Sequence, residues 1–93
     1  MSERTAEETR QDIRDIVIGM APDQGLADRP DPELVEELGY HSLALLELAF
    51  ALEDEYGLPP IDRERARLIR RLSDVQDYVV AELARAEVSG GAA

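Results

Sequence analysis

Early in the chain the apolar residues Ile13, Ile16, Val17 and Met20 stand three and four positions apart, with Arg14 and Asp15 between them. That spacing lays one apolar stripe along a helix and predicts it over about 5–20. The stretch APDQGLADRPDPE, 21–33, breaks the pattern with three prolines and a glycine, and reads as a long loop. Asp31-Pro32 can cap and start a short turn holding Leu34, Val35 and Leu38, which Gly39 ends. Ser42 reads as the N-cap of a second helix running to about Tyr56, where Gly57 and Pro59-Pro60 stop it. A shorter helical piece is expected over 62–68. Ser73 and Gln76 have the S-x-x-Q spacing of a capping box, opening a last helix with Val75, Val79 and Leu83 on one side and Tyr78 nearby. Residues 89–93 read as a disordered tail behind a single domain spanning 1–88. No segment alternates as a strand does. The expected fold class is all-α, a small four-helix bundle of three main helices and a short third one.

The second helix has more apolar surface than one core stripe needs. At about 100° per residue, Leu45, Leu48, Ala49, Leu52 and Tyr56 fall together as the core stripe. Leu43, Leu46 and Phe50 gather on another side, with Glu47 and Asp54 flanking them on one edge and Glu53 on the other. Two readings fit. The helix is central and touches neighbours on both sides, or the second group is an exposed apolar patch with an acidic rim, which is a docking surface.

Charge bears on which partner such a surface would take. The chain has 93 residues, no lysine and a formal net charge of −11. Phosphate repels such a chain, so no nucleic acid is expected as partner. Partners with basic docking surfaces are favoured, reached by electrostatic steering. Without cysteine there is no disulfide, no thiol nucleophile and no zinc–thiolate site. The polar start MSERTAEETRQD has no apolar signal core, and no apolar run approaches the roughly 20 residues of a membrane span. A soluble, cytoplasmic monomer with no membrane partner is expected.

The adjacent pair His41-Ser42 is the obvious place to look for chemistry. A hydrolase elbow reads G-x-S-x-G after a strand. Here the spacing from Gly39 is G-x-x-S, no glycine follows, and no strand is expected. Neighbouring side chains at a helix start also point in different directions, so His41 is poorly placed to take a proton from Ser42. One histidine and no cysteine make a poor metal site. No catalytic residue and no metal ligand is assigned. Ser42 is then either a plain cap or a modification site. A phosphate ester there would meet free N–H groups and the positive end of the helix dipole.

The run L-G-Y-H-S-L followed by A-L-L-E-L-A-F-A-L-E-D-E-Y-G resembles the acyl carrier protein family. In that family a D-S-L motif opens the second helix, which then reads much like x-x-x-E-L-x-x-A-L-E-E-E-F. Leu38, Gly39, Ser42, Leu43, Glu47, Leu48, Ala51, Leu52, Glu53 and Glu55 match; Asp54 and Tyr56 are close substitutes. With the helix order and the long first loop, the resemblance spans about 5–87. It implies that Ser42 carries a 4′-phosphopantetheine arm, attached from coenzyme A by a phosphopantetheinyl transferase. The arm's thiol would hold acyl intermediates as thioesters, supplying the sulfur this chain lacks. The protein would be no enzyme. It would present a tethered substrate to acyl- or aminoacyl-loading and processing enzymes. Partner recognition is implied for His41, Leu43, Leu46, Glu47, Phe50, Glu53 and Asp54.

The chain also departs from that pattern. His41 replaces the usual aspartate; peptidyl carrier domains often read G-G-H-S-L there. Beside the dipole this imidazole is expected to be neutral and tolerant of mutation. Ala44 stands at a position that is often acidic, which would weaken the rim near Ser42. Arg63, Arg65, Arg67, Arg70 and Arg71 crowd a region that is more often acidic; they either offset the acidic helices or form a second contact surface. These departures point toward a discrete carrier in specialised biosynthesis of the polyketide, nonribosomal peptide or lipid type. A discrete aminoacyl carrier and an unmodified acidic interaction module are the alternatives. Whether a cargo is sheltered inside the bundle is left open by the sequence; Ala44, Ala49 and Ala51 are small residues that could leave space.

Overall fold

A computed structural model describes the backbone of residues 5–92 and the side chains of residues 5–86. Four helices and no strand occur among the described residues: α1 (Ala6–Met20), α2 (Ser42–Tyr56), α3 (Arg63–Arg67) and α4 (Leu72–Ala92). This is the all-α, four-helix architecture expected from the sequence. Of the disordered tail expected over 89–93, the backbone of 89–92 belongs to α4 and Ala93 lies outside the described residues.

Helix α1 opens on a capping box in which Thr5 Oγ1 accepts the Glu8 N–H and the Glu8 carboxylate accepts the Thr5 N–H. Its inner row is Thr9, Ile13 and Val17, with Ile16 half-buried and Met20 at the margin. This face lies mainly against α4 and partly against α2. Leu34, Leu38, Tyr40, Leu48, Leu52, Leu72, Val75 and Val79 complete the core.

The end of α1 organises the long loop beyond it. Pro22 cannot continue the helix, and the Ala21 N–H turns back to the Ile18 carbonyl at 3.2 Å. The Val17 carbonyl is left to another donor, and the buried Tyr40 hydroxyl supplies it at 2.7 Å. Arg14 gathers the loop by donating to the carbonyls of Ala27, Arg29 and Pro30 at 2.9, 2.8 and 3.1 Å. The loop closes where the Asp23 N–H meets the Leu38 carbonyl at 3.0 Å. At that crossing Gly39 adopts φ 74°, and a Cβ there would sit 2.9 Å from Asp23 Cβ. Only glycine satisfies both the left-handed backbone and the close approach.

The turn at 34–38 forms as expected, with Leu34 and Leu38 buried and Val35 exposed. One local expectation is corrected. Ser73 and Gln76 form no capping box. Ser73 donates its N–H and its hydroxyl to the Asp31 carboxylate, both at 2.8 Å, and Gln76 Nε2 donates to the Arg10 carbonyl. An ionised carboxylate is a stronger acceptor than a hydroxyl, so Asp31 caps α4 from across the loop. Helix α2 ends as expected, at Gly57 with φ 65°.

Tyr40→Phe leaves the Val17 carbonyl buried without a donor, and is expected to cost about 1–3 kcal/mol in chemical denaturation. Burial also pushes the Tyr40 hydroxyl from its ordinary 10.0 up to about 12. The folded-state value is the higher one, so this contribution is complete below pH 10 and is lost as pH rises toward 12. The Phe variant is therefore expected to lose less stability than the parent over that alkaline range; equal losses would contradict the assignment.

Candidate functional site

The site begins where Tyr40 delivers the chain to α2. His41 has extended backbone, φ −119° and ψ 179°, and occupies the N-cap. Its Nδ1 accepts the Ala44 N–H at 3.4 Å, a long hydrogen bond. The expectation that Ser42 is the cap is therefore corrected: Ser42 is the first residue inside the helix. The reason is positional, since only the residue with extended backbone can turn its side chain back onto the third amide. The contact uses the lone pair on Nδ1. In this position the His41 side chain serves the helix start.

This arrangement frees the serine. Ser42 is exposed, and its hydroxyl has no hydrogen-bond partner among the described residues. The first turn of α2 contains no acidic residue. The first intrahelical acceptor is the His41 carbonyl, which takes the Leu45 N–H at 2.8 Å, and the Ser42 and Leu43 amides have no protein acceptor among the described residues. The helix start thus presents a free hydroxyl beside free amides and an uncompensated positive dipole end. No hydrogen bond joins His41 to Ser42, so the base–nucleophile contact of a hydrolase is not made. No cluster of three metal-ligating side chains occurs among the described residues.

Beyond the serine, α2 has two apolar faces with different fates. Leu43, Leu46 and Phe50 are 60%, 50% and 59% exposed, so they form an open patch rather than a second packing face. Glu47 and Asp54 are exposed beside it. Ala44, Leu48 and Leu52 are buried in the core. Leu45 and Ala49 are half-buried, and with Leu48 and Leu52 they line a cavity of about 140 Å3. Its other walls come from Leu58, Pro59 and Ile61 of the loop, Ala66 and Ile69 at α3, and Val75 and Tyr78 of α4. Glu53 is its one charged lining residue.

Several expected site residues therefore separate. Ser42, Leu43, Leu46, Glu47 and Phe50 share the exposed beginning and side of α2, with Asp54 further along. Glu53 belongs to the cavity wall, and Ala44 to the core rather than to the rim. Of the three small residues expected to leave room, only Ala49 lines the cavity. Sequence reasoning missed the contribution of Ile61, Ala66 and Ile69, which no helical periodicity marks. It also missed the arrangement around Glu82, which is buried and pairs with Arg65 at 3.1 Å and Arg85 at 2.7 Å. Arg65 further stacks its guanidinium 5.2 Å from the Tyr78 ring centroid.

Comparison with known proteins gives this geometry a family. An acyl carrier protein of Campylobacter hominis is 36% identical over 75 residues, 77% of this chain and 90% of that relative. One of Campylobacter curvus is 32% identical over 68 residues, covering 73% and 87%. One of Nitratidesulfovibrio vulgaris is 43% identical over 51 residues, covering 55% and 66%. The chain belongs to the acyl carrier protein family. No protein-family profile matches it. No solved structure matches it either.

The two ends of the cap make opposite predictions. Ser42→Ala removes no cap and is expected to change stability by less than about 0.5 kcal/mol. His41→Ala removes the acceptor and is expected to cost about 1 kcal/mol, while His41→Asn, another good cap, keeps most of it. Urea denaturation of the three variants reads the difference. A larger loss for Ser42→Ala than for His41→Ala would return the cap to the serine.

Proposed function

We propose that this protein is a discrete acyl carrier whose Ser42 bears a 4′-phosphopantetheine arm transferred from coenzyme A by a phosphopantetheinyl transferase. The observation that carries the reading is the Ser42 hydroxyl itself, exposed and unengaged at the first position of α2 because His41 takes the cap. The residues present fit the group: a phosphate ester on Ser42 would lie against the free Ser42 and Leu43 amides, with no acid in the first turn to repel it. When bound, the group supplies the thiol on which a cargo is carried as a thioester. The chain's own residues position the serine, keep its hydroxyl accessible and offer α2 to partners. Family membership supports a carrier role without catalysis of its own.

Leu43, Leu46 and Phe50, with Glu47 and Asp54 beside them, are the proposed docking face for enzymes with basic surfaces. The apolar patch provides contact area and the acids provide steering. His41 lies beside that face, and Glu53, partly exposed, stands between its edge and the cavity. A cytoplasmic location fits a chain in which no helix of the described residues is long and apolar enough to cross a membrane. The replacement of the usual aspartate by His41 and the arginines of 63–71 support service in specialised biosynthesis. His41 also keeps an aminoacyl cargo in view.

Intact-protein mass spectrometry after incubation with coenzyme A and a broad-specificity phosphopantetheinyl transferase is expected to show a gain of one phosphopantetheine group, absent from Ser42→Ala. No gain with several transferases would leave an unmodified docking module. The modified protein is further expected to serve housekeeping fatty-acid enzymes poorly; service equal to that of their own carrier would sink the specialised reading.

The cavity between α2, α3 and α4 is the proposed shelter for an acyl cargo. Its volume of about 140 Å3 suits a short chain. Acylation is expected to raise the thermal midpoint over the first few carbons, each buried methylene contributing about 0.8 kcal/mol, and then to level off. Ala49→Leu fills the cavity and should erase the gain. No stabilisation at any chain length would argue against shelter.

A further inference from the structure

All ten basic residues of the chain are arginines, set against 21 acids. With that excess, every guanidinium has carboxylates to choose from. Arg10, Arg29, Arg65, Arg71 and Arg85 each pair with a carboxylate, and Arg14 holds three loop carbonyls. Arg4 lies outside the described residues. Arg63, Arg67 and Arg70 remain. Their side chains form no ion pair or hydrogen bond among the described residues, and all three are exposed. The unengaged arginines thus fall within a single eight-residue stretch, 63–70. Within 63–71, Arg65 offsets an acid of a helix, Glu82, and Arg71 pairs with Glu33 of the loop.

The same stretch exposes Leu68 by 76%, more than Leu43, Leu46 or Phe50. At about 100° per residue, Arg63, Glu64, Arg67 and Leu68 fall on one arc of α3. Arg65 turns instead to Glu82 and Tyr78, and Ala66 to the cavity. Glu64 is the one carboxylate on that arc. Asp62 and Asp74 flank the stretch, and both accept backbone N–H groups there, from Arg65 and from Arg70 and Arg71. The stretch 63–70 thus exposes a leucine and three free guanidiniums against the one carboxylate of Glu64, opposite in sign to the chain as a whole.

We propose that this α3 surface docks a protein partner presenting carboxylates around an apolar recess that receives Leu68. Charge complementarity selects acids, and planar guanidinium groups suit bidentate pairing with them. The net charge of −11 disfavours nucleic acid and anionic membrane at long range. Free phosphate would make no use of Leu68. The surface is also separate from the α2 patch. Ala66 and Ile69 join Leu45 and Ala49 in the cavity, on the side of α2 away from Leu43, Leu46 and Phe50. A basic partner suited to α2 is repelled from α3, so each face selects its own partner. The inference holds whether or not Ser42 is modified.

The test titrates the isotope-labelled full chain with a synthetic amphipathic helix carrying glutamates at i, i+4 spacing beside leucines, followed by NMR. Backbone amides of 63–70 are expected to shift saturably. The combined Arg63→Ala, Arg67→Ala, Arg70→Ala variant is expected to weaken binding about tenfold or more. Leu68→Ser, at a side chain too exposed to hold the fold, is expected to weaken it by a similar factor. Both variants should keep the parent's thermal midpoint. The proposal is overturned if the peptide shifts only 43–50, or nothing. It is equally overturned if Leu68→Ser binds like the parent, or if phosphatidylglycerol vesicles or inorganic phosphate reproduce the response at 63–70.

Discussion

A phenol oxygen 2.7 Å from a helix carbonyl holds this structure's working end in place. Neither group has a better alternative. Tyr40 is 2% exposed, and the Val17 carbonyl has lost its ordinary partner because Ala21 turns to Ile18. Buried donors and acceptors must be paired, so the two sites answer one another. The Tyr40 N–H meanwhile donates to the Leu34 carbonyl at 2.9 Å, and Gly39 crosses over Asp23 in a conformation other residues rarely adopt. The backbone reaching His41 has therefore little freedom left. Its extended geometry makes His41 the cap, and the cap decides that Ser42 stands free. Serine placement is in this sense a property of α1 and the long loop as much as of α2.

Helix α2 divides its apolar residues three ways, and the division follows from neighbours rather than from sequence spacing alone. Ala44 meets the core alone, Leu48 and Leu52 are core residues that with Leu45 and Ala49 also border an unfilled space, and Leu43, Leu46 and Phe50 stand half or more exposed. The third group is costly in water unless something covers it at times, and its acidic surroundings state the sign of what does. The same logic, with charges reversed, applies around Leu68. A chain this acidic could pair all its arginines, and it leaves three clustered ones open.

How much of this was legible beforehand depends on the range of the interaction. Helix positions and the stops at Gly39 and Gly57 came from local spacing and backbone preference, and they agree with the structure. So did the exposed patch, because an amphipathic count registers an apolar residue too many wherever its partner lies. The caps were misread for one reason. Ser42 and Ser73 both carry good capping chemistry, but a cap is set by backbone geometry and by the strongest acceptor within reach. At α2 the extended residue is His41; at α4 the acceptor is Asp31, distant in sequence. Cavity walls from Ile61, Ala66 and Ile69 were illegible because they come from irregular chain, whose side-chain directions have no period to count.

The Asp31 cap has a bearing on how the chain acquires its shape. The first two amides of α4 are satisfied from the far end of the loop, Leu72 by the Pro32 carbonyl at 3.0 Å and Ser73 by the Asp31 carboxylate at 2.8 Å. Until 31–32 arrive, those amides have only water. The last helix is thus able to grow from its middle but not to finish its beginning alone, and closing a loop of this length is itself an entropic barrier. Ordering the turn beneath Gly39 and ordering the first turn of α4 become one cooperative event. The docking region of α3 lies on the chain between them, and it is fastened at its far end by the same closure that sets the serine.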